Sequence, residues 1–250
     1  MARVPDPTTV PVCKTPDLPE SWDPLVLMVD KPKDWSSFDV IRKLRSRSPL
    51  RKMGHAGTLD PMATGLLVVL SGKATRLMNH FLGFDKEYTA TIRLGQSTPS
   101  FDAETEVVHE RDTSHLTDTA IEEALTAFRG EIVQQTPVYS AVKVGGERLY
   151  KKARRGERVK TPTRHVSVYG FAVEERRGVD LDVRISCSSG TYIRSLAHEL
   201  GEALGVGGHL TALRRTRIGD LLAEDAWPLE QLISALDALR SSPESPTARS

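Results

Sequence analysis

Apolar positions along this chain gather in short runs with two distinct periods. Leu25-Val-Leu-Met-Val29 is continuous and reads as a buried strand, closed by Asp30-Lys31-Pro32. Ser36 and Ser37 stand where a cap is needed for a helix over Asp39–Arg47, with Val40, Ile41 and Leu44 along one side. Gly54–Pro61 follows neither period and reads as an ordered loop. Leu66–Leu70 is a second buried strand and Ala74–Leu82 a short helix. Tyr88–Leu94 alternates, with Tyr88, Ala90, Ile92 and Leu94 opposed to Thr89, Thr91 and Arg93, as a half-buried strand does. Thr119–Phe128 carries Ile121, Leu125 and Phe128 at helical spacing, and Thr119 with Glu122 fits a capping box. Val166–Val173 and Val179–Cys187 read as strands; in the second, Asp180, Asp182, Arg184 and Ser186 mark a wet side. Ser189-Gly190-Thr191 opens a helix through Leu204 that Gly205 ends. His209–Ile218 reads as a strand and Leu229–Leu239 as a helix.

Strands and helices intermix without strict β-α-β alternation, and several strand pairs are close in sequence. The fold class expected is therefore α+β, with a mixed, largely antiparallel sheet and helices on one side. Residues 1–22 read as a flexible leader, and Ser241–Ser250 as a polar tail. Gln134–Lys160 is polar, basic and glycine-containing, with Tyr139 and Tyr150 interspersed, and looks like an excursion that touches a ligand. There is no internal repeat.

The 250 residues, 39% hydrophobic and 27% charged, suffice for one large domain or two small ones. The longest apolar run, Gly65–Leu70, is strand-sized, far from a membrane span, and the Pro- and Thr-rich start is no secretory signal; the cytoplasm is the expected location. Cys13 and Cys187 form neither a metal spacing nor a disulfide framework, and read as reduced thiols. Net charge is only +1, but its distribution is uneven. Arg42, Lys43, Arg45, Arg47, Arg51 and Lys52 occupy one stretch without an acid. Arg148, Lys151, Lys152, Arg154, Arg155, Arg158, Lys160 and Arg164 share a second with Glu157 alone. Such stripes suit a polyanion, although a solvated face is the plainer reading of either.

Chemistry concentrates in Gly54-His55-Ala56-Gly57-Thr58-Leu59-Asp60-Pro61-Met62-Ala63-Thr64-Gly65. Three glycines and a proline fix the backbone, and a rigid loop bearing few polar groups is a common place for catalysis. Asp60 could equally cap backbone amides, with His55 merely solvated. No Gly-Lys-Ser/Thr follows, there is no Gly-x-Ser-x-Gly elbow and no His-Glu-x-x-His helix, and His55 with Asp60 lacks a third ligand at metal spacing. A lone Asp nucleophile or base oriented by a cation remains. Arg194, in the first turn after Gly190-Thr191-Tyr192, is a candidate cation, and a surface salt bridge is its bland alternative.

The segment Gly54–Leu67 closely resembles the catalytic motif of the TruB family of pseudouridine synthases, which make pseudouridine 55 in the T-loop of bacterial tRNA. Leu25–Ser37 is similar to the family's first motif. Lys86-Glu87-Tyr88 with Arg93–Thr98 is similar to its tyrosine strand, and Gln135–Lys143 to its RNA-gripping insert. Ser189–Ala197 resembles its arginine motif and Leu213-Arg214-Arg215-Thr216 its last core strand. All occur in family order over about residues 25–220. The resemblance implies a sheet core of the pseudouridine synthase type at 23–222, with an RNA-gripping insertion at about 132–162. It implies that Asp60 is the nucleophile, that His55 fills the space left by a flipped uridine and that Tyr88 stacks on the target base. Arg194 pairs with Asp60 and orients it; Tyr192 and Leu213 line the uridine pocket. Lys31 and Lys143 are weaker candidates for substrate or structural contacts.

The implied reaction breaks the C1′–N1 bond of uridine and rejoins the base through C5. It needs no redox change and no energy input, in keeping with the absence of a cofactor or metal motif. The partner implied is tRNA, through its T-stem-loop, met by a monomer with no obligatory protein partner and no membrane. Two places depart from the family pattern. Residues 223–250 are expected as a short helix and tail, too little for a PUA-like domain. The segment usually written Thr-x-Thr-x-Asp-x-x-Gly appears as Thr98-Pro-Ser100-Phe-Asp102-Ala-Glu-Thr105, which alters the local turn. A guide-RNA-dependent relative, a synthase acting on another RNA uridine and an RNA-binding, tRNA-folding chaperone are the alternatives.

Overall fold

The computed structural model describes residues 4–140, 142–149, 152, 155, 157, 159 and 161–241. Tyr150 of the excursion, Lys151, Arg154, Arg158 and Lys160 of the second basic run, the side chains of Lys143 and Arg148, and the tail beyond Ser241 lie outside the described residues. The chain divides into two compact units, one formed by residues up to Phe84 and from Arg214 onward, the other by Asp85–Leu213.

The first unit begins inside the segment expected as a leader. Strand β1 (Val12–Cys13) pairs in parallel with β2 (Leu25–Lys31), and Val10 and Cys13 are buried. Burial raises the free Cys13 thiol to about 11. Helix α1 (Ser37–Arg45) starts where the two serines predict. Ser36 is the N-cap, its hydroxyl accepting from Asp39 N, while the Asp39 carboxylate accepts from Ser36 N, a closed capping box. Strand β3 (Met53–Ala56) occupies the first half of what the sequence shows as a loop. Four residues are too few to display a period, and its pairing with β4 (Thr64–Ser71) is decided at long range. On its other edge β4 runs antiparallel to all of β2, from Leu25↔Ser71 to Lys31↔Gly65. A 3₁₀ turn (Gly72–Leu77) leads into α2 (Met78–Gly83).

Both β2 and β4 are buried on both faces. Leu25, Leu27, Val29, Leu67 and Val69 pack with Val40, Ile41 and Leu44 of α1. Val26, Met28, Leu66, Val68 and Leu70 pack with Ala74, Leu77 and Phe81. Helices thus cover both faces here, not one side as expected. The continuous apolar runs carried that signal, because a strand without alternation has no face to give to water.

The second unit opens with β5 (Lys86–Leu94) and two short strands, β6 (Gln96–Ser97) and β7 (His109–Glu110). Helix α3 (Asp118–Thr126) is capped by Thr117, whose hydroxyl accepts from Ala120 N, two residues before the expected Thr119 box. Strand β8 (Gly130–Gln135) forms the sheet edge, so the polar excursion begins as part of the sheet. Strands β9 (Lys143–Val144) and β10 (Glu147–Arg148) make a hairpin through Gly145 and Gly146, both at positive φ (63° and 83°), which a two-residue turn of this hand requires. Arg155 donates to Glu147 and Glu157, so part of the second basic run is neutralised within the chain. The long β11 (Thr163–Arg177) pairs antiparallel with β8 and with β12 (Asp180–Cys187), which pairs antiparallel with β5. Leu181, Val183, Ile185 and Cys187 point inward as their alternation predicts. The opposite face is laced by Arg93 with Asp180 (2.8 Å twice) and Thr91 with Asp182 (2.7 Å). Helix α4 (Ile193–Ala203) packs against α3.

Strand β13 (Gly208–Ile218) passes from the second unit into the first. Its Arg214 and Arg215 pair in parallel with Thr64 and Gly65 of β4. Strand β14 (Leu221–Leu222) turns back on it, β15 (Trp227–Pro228) adds in parallel to β2, and α5 (Leu229–Ser241) lays Leu229, Leu232 and Leu236 on the same core as α1. The α+β class with mostly antiparallel pairing holds.

Gly65 has φ +98°, and a Cβ there would run into the Arg215 backbone. Gly65→Ala should cost about 2–4 kcal/mol of unfolding free energy, from left-handed strain plus the collision. A urea-denaturation midpoint unchanged from the parent would refute this.

Candidate active site

Residues 57–63 connect β3 to β4, and three side chains of the first unit hold them. Lys31 is fully buried, and its ammonium donates to the carbonyls of Pro32 (2.8 Å), Trp35 (2.6 Å) and Pro61 (3.2 Å). Three N–H donors meet three acceptors, which is what a buried ammonium needs. The Ser37 hydroxyl accepts from Leu59 N (2.8 Å) and donates to Leu59 O (3.1 Å). Buried Arg215 donates from Nε to Leu66 O (2.8 Å) and from Nη2 to Gly57 O (3.1 Å). Gly57, at φ +97°, lies so close that a Cβ would come within 3.3 Å of Nη1. Within this cradle Asp60 is half-buried, and its carbonyl accepts from Ala63 N (3.1 Å), closing a turn around Pro61.

Lys31, a weaker candidate for a substrate or structural contact, makes structural ones: it is a strut beneath the loop. It has no exposed surface, and its ammonium is met by three carbonyls. His55 is half-buried on β3 with Nδ1 enclosed. Burial and the neighbouring Arg215 charge hold its imidazole below the ordinary 6.5, so the ring is neutral near pH 7. A neutral ring costs less than an imidazolium to press against a base.

The remaining candidates belong to the second unit. Tyr88 is buried on β5, opposite Ile185. Leu213 is buried near the middle of β13. Tyr192 is the N-cap position of α4. Its backbone is gripped by the fully buried Gln134, whose Oε1 accepts from Tyr192 N (2.7 Å) and whose Nε2 donates to Tyr192 O (3.0 Å). The Arg164 guanidinium lies 4.9 Å from the centre of the Tyr192 ring. Arg194 sits in the first turn of α4 as expected, but it is 5% exposed, which rules out the surface salt bridge. Its Nη1 donates to Ser100 O (3.0 Å) and lies 3.4 Å from Asp102 Oδ2, while Nη2 donates to Tyr139 O (2.9 Å). Lys143 belongs to β9, and its side chain lies outside the described residues.

The departure at Thr98–Thr105 leaves a closed turn. Ser100 Oγ donates to Asp102 Oδ1 and lies 2.7 Å from Thr105 Oγ1, while Thr98 Oγ1 donates to Asp102 O (2.7 Å). Asp102 is fully buried there. Sequence reasoning missed Ser37, Asp102, Gln134 and Arg215 as parts of the machinery. Their flanking residues are mixed polar and apolar, so no local pattern marks them, and nothing in the sequence names their partners.

The described residues contain no group of three or more His, Cys, Asp or Glu that could hold a metal ion.

The comparisons with known proteins agree with one another. Residues 44–193 match the family model described as TruB family pseudouridylate synthase (N terminal domain), and residues 194–247 match tRNA pseudouridylate synthase B C-terminal domain. A curated relative from Arthrobacter sp. (strain FB24), named tRNA pseudouridine synthase B, is 52% identical over 87% of this chain and 73% of its own length. A Thermobifida fusca (strain YX) protein of the same name is 51% identical over 83% of this chain and 73% of its own. Among solved structures, a Cbf5-Nop10-Gar1 complex contains a chain 32% identical with a TM-score of 0.67, covering 86% of this chain and 55% of that one. An H/ACA RNP bound to a substrate RNA containing 2'-deoxyuridine gives 30% and 0.64, covering 88% and 56%. The chain thus spans little more than half the length of those solved chains.

Asp102→Asn keeps the shape of the turn but withdraws a carboxylate from a buried guanidinium, and should cost about 2–4 kcal/mol in urea denaturation; a loss below about 0.5 kcal/mol would exclude a structural ion pair. Glu199, half-buried on α4, has its carboxyl pushed up to about 7 from 4.5 by burial. The folded value lies above the unfolded one, so stability from this group is full below about 4.5 and lost as pH rises through about 7. Glu199→Gln should therefore gain on the parent by about 1–2 kcal/mol between roughly pH 5 and pH 8, after discounting for partial exposure. Parallel stability–pH curves would contradict it.

Proposed function

Because the chain belongs to the TruB family of pseudouridylate synthases, we propose that it isomerises uridine 55 in the T-loop of tRNA to pseudouridine, with Asp60 as nucleophile. The observation that carries this is the loop itself. A half-buried carboxylate projects from a backbone fixed by Lys31, Ser37 and Arg215, in a chain about half identical to proteins named tRNA pseudouridine synthase B. Pre-organisation of this kind lets a carboxylate act without reorganising when charge develops.

In the reaction the C1′–N1 glycosidic bond breaks and a C1′–C5 bond forms. C5 gives up its proton and N1 gains one, so no electron is gained or lost and no cofactor is required. Asp60 supplies the carboxylate that starts the exchange. Arg194 keeps it ionised by favouring the charged form. Tyr88 stacks on the everted base and repays part of the unstacking, about 1–3 kcal/mol. Neutral His55 fills the gap the base leaves, and Tyr192 and Leu213 line the pocket that receives it. The same reading makes the protein a cytoplasmic monomer that needs no protein partner. Relatives at about 50% identity are named tRNA pseudouridine synthase B, whereas the solved neighbours near 30% are named as a Cbf5-Nop10-Gar1 complex and an H/ACA RNP. No described helix is long and apolar enough to cross a membrane.

A uridine-containing T-stem-loop incubated with purified protein should acquire pseudouridine, mapped as a carbodiimide adduct, without added cofactor. Asp60→Ala should lower kcat by at least about 10³-fold while retaining RNA affinity. Undiminished conversion by that variant, or no conversion by the parent, would reject the assignment.

A further inference from the structure

Helix α1 shows solvent an aromatic ring that its own core does not use. Phe38 is 59% exposed although Ser37 before it is buried and Asp39 after it closes the capping box. A single exposed apolar side chain is ordinary on a protein surface. Three features of this one are not. Its neighbour Ser37 is the residue that holds Leu59, so the ring stands one position from an anchor of the Asp60 loop. Arg42, one turn further along the same helix face, is exposed, and its guanidinium is drawn back to the first turn by Asp39 Oδ1 at 2.7 Å. Exposed Lys33 and exposed Asp34 precede the helix, and exposed Arg51 and Lys52 follow it. The backbone beneath the ring is fixed by the capping box, so little entropy is lost when something settles on it.

An open aromatic face beside a tethered, exposed guanidinium suits one kind of occupant. An unpaired nucleobase stacks on the ring while its phosphate meets the cation. We propose that Phe38 is a stacking platform for an unpaired base of the RNA substrate, outside the reacting pocket, with Arg42 on the adjoining phosphate. This rests on the reading that the chain acts on a folded RNA loop.

The test uses the full chain and a T-stem-loop RNA, with binding and turnover measured separately. Phe38→Ala should raise Kd and KM about tenfold with kcat within about twofold, the signature of lost uniform binding. Phe38→Trp should restore both constants and lose indole emission on adding RNA. Arg42→Gln should reduce the slope of log Kd against log salt by about one. Unchanged Kd and KM in Phe38→Ala overturn the proposal, and if the parent still converts the RNA the enzymatic reading survives alone. Should the parent fail to convert the RNA while Phe38→Ala still weakens binding, the platform stands and the activity falls.

Discussion

The Lys31 ammonium is the constraint on which the first unit's chemistry depends. A charge with no solvent contact is tolerated only when its donors are met, and here three carbonyls meet them. Two belong to the turn that leads into α1, and the third is Pro61 O, beside Asp60. One cation therefore ties the end of β2, the start of α1 and the catalytic-loop candidate to a common point. Ser37 adds a two-way bond to Leu59, and Arg215 reaches the loop's other end through Gly57 O. A carboxylate on such a backbone starts from a fixed Cα.

The second unit uses the same device with the charge reversed in emphasis. Asp102 is the deeply buried member: Ser100 Oγ and Glu104 N donate to its Oδ1, and its Oδ2, without a hydrogen bond, faces the Arg194 guanidinium at 3.4 Å. Gln134 takes both backbone groups of Tyr192, which fixes where α4 begins and so where Arg194 projects. The sequence departure in this turn is absorbed because Ser100 and Thr105 supply hydroxyls that bond each other and the carboxylate. In both units a polar residue among apolar neighbours acts on backbone first, and only the backbone then presents the side chain of interest.

Basic residues show why composition alone misleads about nucleic-acid contact. Arg45 spends its guanidinium on Met53 O, Arg47 faces Asp237, and Arg155 is shared by two glutamates. These hold the chain together. Arg42, Arg51 and Lys52 keep exposed charge on the first unit, so the first stripe is part structural and part available.

By itself the sequence determined the elements whose period is long enough to register. The apolar run of β2, the alternation of β5 and β12, the serine-capped α1 and the first turn of α4 all lie close to where their patterns put them, because each pattern is a local consequence of which side is buried. It also marked the Asp60 segment, since three glycines and a proline can be read without neighbours. Only the tertiary structure decided that β3 exists, that part of the expected leader pairs with β2, that helices cover both faces of the first unit's sheet, and that Lys31 points inward. Each of those depends on a partner outside its own element, and hydrogen-bond satisfaction between such groups leaves no period in the chain.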